Sequence, residues 1–206
     1  MPTLRSLEAL ESEGLLSPDP RLQDAAQSMA IAITSEMVAL IDRSRLADDP
    51  IARQFVPSGA EVEVAPGELA DPIGDEARSP VKGIVHRYPD RVLLKPLHVC
   101  PVYCRFCFRR EMVGPDGLGT LTAEQMDAAI GYIGDHAEIW EVILTGGDPL
   151  VLSARRLKEM MARVSDGPPL SRSGPNRGSP VAADASPSHP APAPRLYPPL
   201  ARLPEQ

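Results

Sequence analysis

The sequence predicts an α/β fold with a parallel sheet, preceded by a helical region and followed by a proline-rich tail. Three observations carry this. Between Arg91 and Val164, short apolar runs alternate with helical patterns, and strand, helix, strand, helix is how a parallel sheet begins. Residues 21–46, "RLQDAAQSMAIAITSEMVALIDRSRL", repeat apolar side chains at helical spacing. From Asp166 to Gln206, eleven of forty-one residues are proline, mixed with Ser, Ala, Gly and Arg.

In the N-terminal region Leu22, Ala25, Ala26 and Met29 recur at helical intervals, as do Met37, Leu40 and Ile41, and each set is read as a core-facing stripe. Thr34 or Ser35 would cap the second helix. From Asp48 to Pro80 the chain is punctuated by Pro50, Pro57, Pro66, Pro72 and Pro80, which predicts an extended arm with little regular structure. Residues 1–80 thus form a helical region and arm.

The α/β core is expected over residues 81–165. Val92, Leu93 and Leu94 form the short apolar run of a buried parallel strand. "LTAEQMDAAIGYIGDH" is a helix: Thr122 and Gln125 fit a capping box, and Met126, Ala129, Ile130 and Ile133 line one face. A second strand, Glu141 to Leu144, ends in a Gly-Gly turn, and "SARRLKEMMARV" is a helix capped by Ser153. The remainder, 166–206, has too little apolar surface to offset its ordering entropy and is expected to be disordered.

Bulk properties exclude several function classes. Residues 1–165 hold 17 Lys and Arg against 25 Asp and Glu, which does not favour nucleic acid. No run of eighteen apolar residues appears, so no membrane partner is expected. The acidic start "MPTLRSLEALESEG" lacks the basic and apolar regions of a signal peptide. All the cysteines cluster within eight positions, as metal or redox chemistry in a reducing compartment would have them. A cytoplasmic location is the expectation.

Those cysteines, Cys100, Cys104 and Cys107, make a C-x3-C-x2-C pattern just past the first core strand. Active-site loops in α/β folds lie at such strand ends. The spacing fits an iron–sulfur cluster, a Cys3His zinc site completed by His98 or His86, or plain buried thiols. Zinc sites usually draw a second ligand pair from a distant segment, and no second Cys/His cluster exists here.

In "CPVYCRFC" the aromatic Phe106 precedes the third cysteine, which resembles the C-x3-C-x-Φ-C signature of radical S-adenosylmethionine enzymes. "GIVHRYPDRVLL", "CRFCFRR" and "EVILTGGDPL" together resemble the lysine 2,3-aminomutase family. That family includes relatives acting on lysine for elongation factor P modification. The resemblance covers about residues 20–165.

The resemblance implies the N-terminal part of a radical S-adenosylmethionine partial (β/α) barrel. It implies a 4Fe–4S cubane held by Cys100, Cys104 and Cys107, with the fourth iron open to S-adenosylmethionine. Phe106 would lie by the adenine, and Gly146, Gly147 and Asp148 would help hold the methionine amino group. A 5′-deoxyadenosyl radical would then abstract hydrogen from L-lysine bound through pyridoxal phosphate, giving β-lysine. Arg109 matches the arginine for the substrate carboxylate, and Arg87 and Arg91 match contacts to the pyridoxal phosphate. For each arginine the bland reading is a solvated charge or a local salt bridge. His86 and His98 are left as structural. The implied partners are free lysine or lysine on a translation factor, a reductant such as a flavodoxin or ferredoxin, and a homo-oligomer.

None of Lys82, Lys95 and Lys158 matches the family lysine that holds pyridoxal phosphate. The family-like sequence stops near Val164, and the tail has the composition of a GC-rich gene read out of frame. The expectation is a truncated or frameshifted chain, inactive in lysine turnover. The competing expectation is a non-catalytic iron–sulfur or zinc-binding fragment.

Overall fold

The structure is a computed structural model, and it describes residues 2–114 and 119–166. The proline-rich stretch expected to be disordered lies outside the described residues beyond Asp166.

Three strands form one sheet in the order β1-β2-β3. Strand β2 (Arg91–Leu97) and β3 (Glu141–Gly146) pair in parallel, with Val92 opposite Val142 and Leu94 opposite Leu144. The apolar run read as a buried strand therefore has its expected parallel partner. Strand β1 (Ile84–Tyr88) was not expected. It pairs antiparallel with β2 through a tight turn at Pro89 and Asp90, with Tyr88 opposite Arg91. Its two leading apolar residues, Ile84 and Val85, are too short a run to stand out, yet both are buried.

Two helices cover one face of this sheet. Helix α5 (Ala123–Asp135) starts at the expected capping box: the Gln125 N–H donates to Thr122 Oγ1 at 3.2 Å, and the Thr122 N–H to Gln125 Oε1 at 3.1 Å. The last helix spans Ala154–Asp166, and Ser153 caps it through the Arg156 N–H at 3.3 Å. Ala129 and Ile130 of α5 and Met160 and Val164 of the last helix pack on Ile84, Val92 and Leu94. Burial of these side chains stabilises each by about 1.5–3 kcal/mol. The result is a mixed α/β arrangement with a small sheet.

The N-terminal region builds a second core. Helices α1 (Leu7–Ser12), α2 (Leu22–Ser28), α3 (Ser35–Ala39) and α4 (Ala52–Phe55) surround Leu10, Leu15, Ile33 and Phe55. The helical reading of 21–46 holds only in part. After Ser28 the chain extends, and Leu4 and Ile33 exchange two backbone hydrogen bonds of 2.9 and 3.0 Å. The run Ile31–Ala32–Ile33–Thr34 favours this extended path because β-branched side chains are stiff in helices. Thr34 is the N-cap of α3 by position but makes no side-chain cap bond. Leu40, read as a core residue, is 60% exposed, and Val38 is buried instead because α3 ends at Ala39.

The regular structure of segment 48–80 is short. The segment carries α4 and short 3-10 turns at Gly59–Val62 and Glu76–Arg78. Asp49 starts α4 by accepting the Ala52 and Ile51 N–H groups at 2.7 and 3.0 Å. The prolines cut the segment into pieces too short to show periodicity, but not out of contact with the cores. A third small cluster, Met29, Ala32, Tyr103 and Val113, joins the N-terminal region to the cysteine loop. Among the described residues no helix is long and apolar enough to cross a membrane.

Candidate iron–sulfur and substrate site

The cysteine loop leaves the C-terminal end of β2 and is fastened on both sides. Toward the N-terminal region, the Tyr103 N–H donates to Ala32 O at 3.0 Å and the Arg105 N–H to Gln54 O at 2.7 Å. Arg105, between Cys104 and Phe106, turns inward and is 5% exposed. Its guanidinium grips Glu61 through Nη2 at 2.7 Å and Nε at 3.0 Å. It also donates to the carbonyls of Ala25, Met29 and Ala30. Every direction of this planar donor is therefore used, as burial of a charge demands.

Toward the sheet, the loop meets the Gly-Gly-Asp turn. The Gly147 N–H donates to Leu97 O at 2.7 Å, and the Asp148 N–H to Val99 O at 3.0 Å. A side chain at Gly147 would place a Cβ 2.3 Å from Val99 O, and one at Gly146 2.6 Å from Leu97 O. Gly146 also has φ +100°, which favours glycine. Two glycines are thus what lets the β3 turn lie against the backbone entering the cysteine loop. The Asp148 carboxylate accepts the Leu150 N–H at 2.9 Å and so shapes its own turn.

All three cysteines are free thiols; Cys100 and Cys107 are half-buried and Cys104 is exposed. Burial pushes the Cys100 thiol up; the Asp148 N–H opposes this, and Cys107, Asp148 and Cys104 add to the rise. Burial also raises Cys104, with Cys107 adding to it. The thiolate form is therefore disfavoured at Cys100 and Cys104. Among the described residues no three His, Cys, Asp or Glu side chains converge on a point for one metal ion. Cys100 nevertheless feels the charges of Cys107 and Cys104, and Cys104 that of Cys107, so the loop brings the three near one another. A cubane asks that each thiolate bind its own iron, and one loop carrying three neighbouring thiols can offer that. Phe106 projects from this loop and is 71% exposed.

His86 and His98 each have one buried ring nitrogen without a partner. His98 is 2% exposed and its Nδ1 has no partner. Its backbone bonds Gly119 and Gly114 at 2.7 and 3.2 Å. His86 Nδ1 meets the Tyr132 hydroxyl at 2.7 Å.

Arg87, Arg91 and Arg109 line one cavity of about 240 Å³ behind the cysteine loop, together with Asp75, Tyr88 and Ile143. Arg91 pairs with Asp90 at 3.1 Å and Glu141 at 3.4 Å. Arg87 lies 3.7 Å from Asp75. Arg109 is buried, bonds Asp75 through Nε at 3.0 Å, and lies over the Phe108 ring at 4.5 Å. Lys95 is also buried, 3.5 Å from the same Asp75. Arg87, Arg91, Arg109 and Lys95 are thus each paired with a carboxylate.

Sequence reasoning missed Arg105, Glu61, Asp75 and Lys95. Glu61 and Asp75 fell in the segment read as an extended arm with little regular structure. A charged residue inside the tight C-x2-C spacing was the available signal for Arg105.

Comparisons with known proteins bear on the family. Residues 91–171 match the family described as a 4Fe-4S single cluster domain. The chain is 37% identical over 142 residues to L-lysine 2,3-aminomutase of Clostridium subterminale, covering 69% of this chain and 34% of that protein. It is 34% identical over 167 residues to the Acetoanaerobium sticklandii L-lysine 2,3-aminomutase, covering 80% and 40%. Against the Bacillus subtilis L-lysine 2,3-aminomutase it is 33% identical over 170 residues, covering 82% and 36%. The chain thus spans a little over a third of the length of these relatives. Over the part it shares with them, the chain belongs to the lysine 2,3-aminomutase family.

Proposed function

We propose that this chain carries the cluster and cosubstrate site of a radical S-adenosylmethionine lysine 2,3-aminomutase, which converts L-lysine to β-lysine. The observation that carries this reading is the seam between the two strand ends. There the cysteine loop and the Gly146–Gly147–Asp148 turn are joined by backbone hydrogen bonds, with no room for side chains on the glycines.

A reduced 4Fe–4S cluster with S-adenosylmethionine supplies one-electron chemistry that opens a substrate C–H bond, and pyridoxal phosphate carries the migrating amine. The residues of this chain bind and orient. Cys100, Cys104 and Cys107 hold three irons. The Gly-Gly-Asp turn receives the methionine amino group, and Phe106 stands by the adenine. Arg87 and Arg91 receive phosphate, and Arg109 forks the substrate carboxylate. A lysine inside a protein has an amide at that position, so this role favours free lysine. A flavodoxin or ferredoxin would supply the electron.

Anaerobic reconstitution with iron and sulfide tests the reading. The expected result is a 4Fe–4S spectrum that S-adenosylmethionine perturbs and that Cys100→Ser, Cys104→Ser or Cys107→Ser abolishes. Retention of zinc alone, with no such spectrum, would sink it.

A further inference from the structure

Among the described residues Asp75 meets more cations than any other carboxylate. It is 2% exposed. Its Oδ2 accepts from Arg109 Nε at 3.0 Å and lies 3.5 Å from Lys95 Nζ, while Oδ1 is 3.7 Å from an Arg87 terminal nitrogen. Two of these cations, Arg87 and Arg109, line the cavity beside Arg91 and leave its wall positive. A second anion can then enter without displacing the first.

The atoms used on Arg109 matter more than the charge count. Asp75 takes Nε–H, on the side of the guanidinium, and Phe108 covers its face at 4.5 Å. Among the described residues no acceptor takes the two terminal nitrogens of Arg109. The plane is fixed along one edge and one face, and the fork that matches a carboxylate is left open. Asp75 is itself held firmly. The Asp71 carboxylate accepts the N–H groups of Asp75 and Glu76 at 2.9 and 2.8 Å, and the Ser79 hydroxyl donates to Asp75 O at 2.7 Å. Lys95, projecting from β2, ties the same carboxylate to the sheet. Burial lowers the Lys95 pKa and Asp75 opposes that fall, so each buried charge depends on the other.

We propose that Asp75, steadied by Lys95, is a positioning residue that fixes Arg109 as an end-on fork for the substrate α-carboxylate. This rests on the carboxylate role given to Arg109 above. It adds that affinity for the carboxylate is set two residues away from the ligand, at a side chain that does not touch it.

Binding of L-lysine and of 1,5-diaminopentane, which lacks the carboxylate, to the full chain separates the two claims. Wild type should prefer L-lysine, and Arg109→Gln should erase the preference. If wild type shows no preference, or Arg109→Gln leaves it intact, the carboxylate reading itself falls. With that reading standing, Asp75→Asn should weaken L-lysine about tenfold and leave the diamine unchanged. Asp75→Glu, which keeps the acceptor, should recover part of the loss, and Lys95→Met should show a smaller loss of the same kind. If Asp75→Asn tightens L-lysine or leaves it unchanged, Asp75 is a competitor or a bystander and the positioning role is overturned. Nitrogen-15 spectra of arginine side chains give a second readout, usable on Lys95→Met if Asp75→Asn does not fold. The Arg109 Nε–H should exchange slowly with water in wild type and faster in Lys95→Met; equal exchange in the two would remove Lys95 from the device.

Discussion

Arg105 and Glu61, forty-four residues apart, are joined by a two-pronged ion pair with contacts of 2.7 and 3.0 Å. The pair closes the cysteine loop onto the N-terminal region, and Arg110 adds a third contact to the same carboxylate at 3.3 Å. The loop's shape therefore depends on residues far earlier in the chain. Glu61→Gln leaves a buried guanidinium without its counter-charge. Breaking such a pair from one side costs about 3–5 kcal/mol. Urea denaturation should show that loss, and anaerobic reconstitution should return less iron per chain than wild type. Full iron uptake in a destabilised Glu61→Gln would mean that the loop holds its shape alone.

Gly147→Ala tests the seam with the β3 turn. The new Cβ would meet Val99 O at 2.3 Å and Val99 N at 2.5 Å, and backbone atoms cannot swing aside as a side-chain tip does. Overpacking of this kind costs about 1–3 kcal/mol. Because Val99 adjoins Cys100, the displacement should also blunt the spectral response to S-adenosylmethionine while the cysteines still take up iron. A normal response would show that the seam is packing and not a cosubstrate site.

The capping box of α5 offers a purely structural control. Thr122→Ala removes the acceptor for the Gln125 N–H at 3.2 Å. The expected loss is about 1 kcal/mol, read from the urea midpoint. Cluster incorporation should not change, since α5 packs on the face of the sheet and not at the strand ends.

How much of this was legible follows from the range of each signal. The α5 cap and the apolar runs of β2 and β3 are written in neighbouring residues, so a sequence shows them. The spacing of the cysteines leaves a cluster, a zinc site or plain thiols open, and only the resemblance to a family chooses among them. Asp75 and Glu61 carry no such signal: each acts on a partner more than thirty residues away, from a proline-cut segment with no period to read. Leu40 failed for the opposite reason. Its spacing fits a helical stripe, but α3 is five residues long and ends before that stripe matters. Local pattern fixes an element's type well; it says little about which buried charge an irregular segment delivers.

His98 gives the chain a pH signature with a definite sign. Burial, then the charges of Lys95, Arg109 and Lys82, push its pKa from 6.5 down to about 4. An unfolded chain binds a proton on this ring as pH falls through 6.5, whereas the folded chain refuses it until about 4. The contribution is therefore full above pH 6.5 and is lost as pH falls toward about 4. At 1.36 kcal/mol per pKa unit, the loss across that window is roughly 3 kcal/mol. Urea midpoints of wild type should fall between pH 7 and pH 4.5, and those of His98→Gln should fall less over the same range. Parallel curves for the two proteins would mean that the ring takes up its proton while the fold is intact.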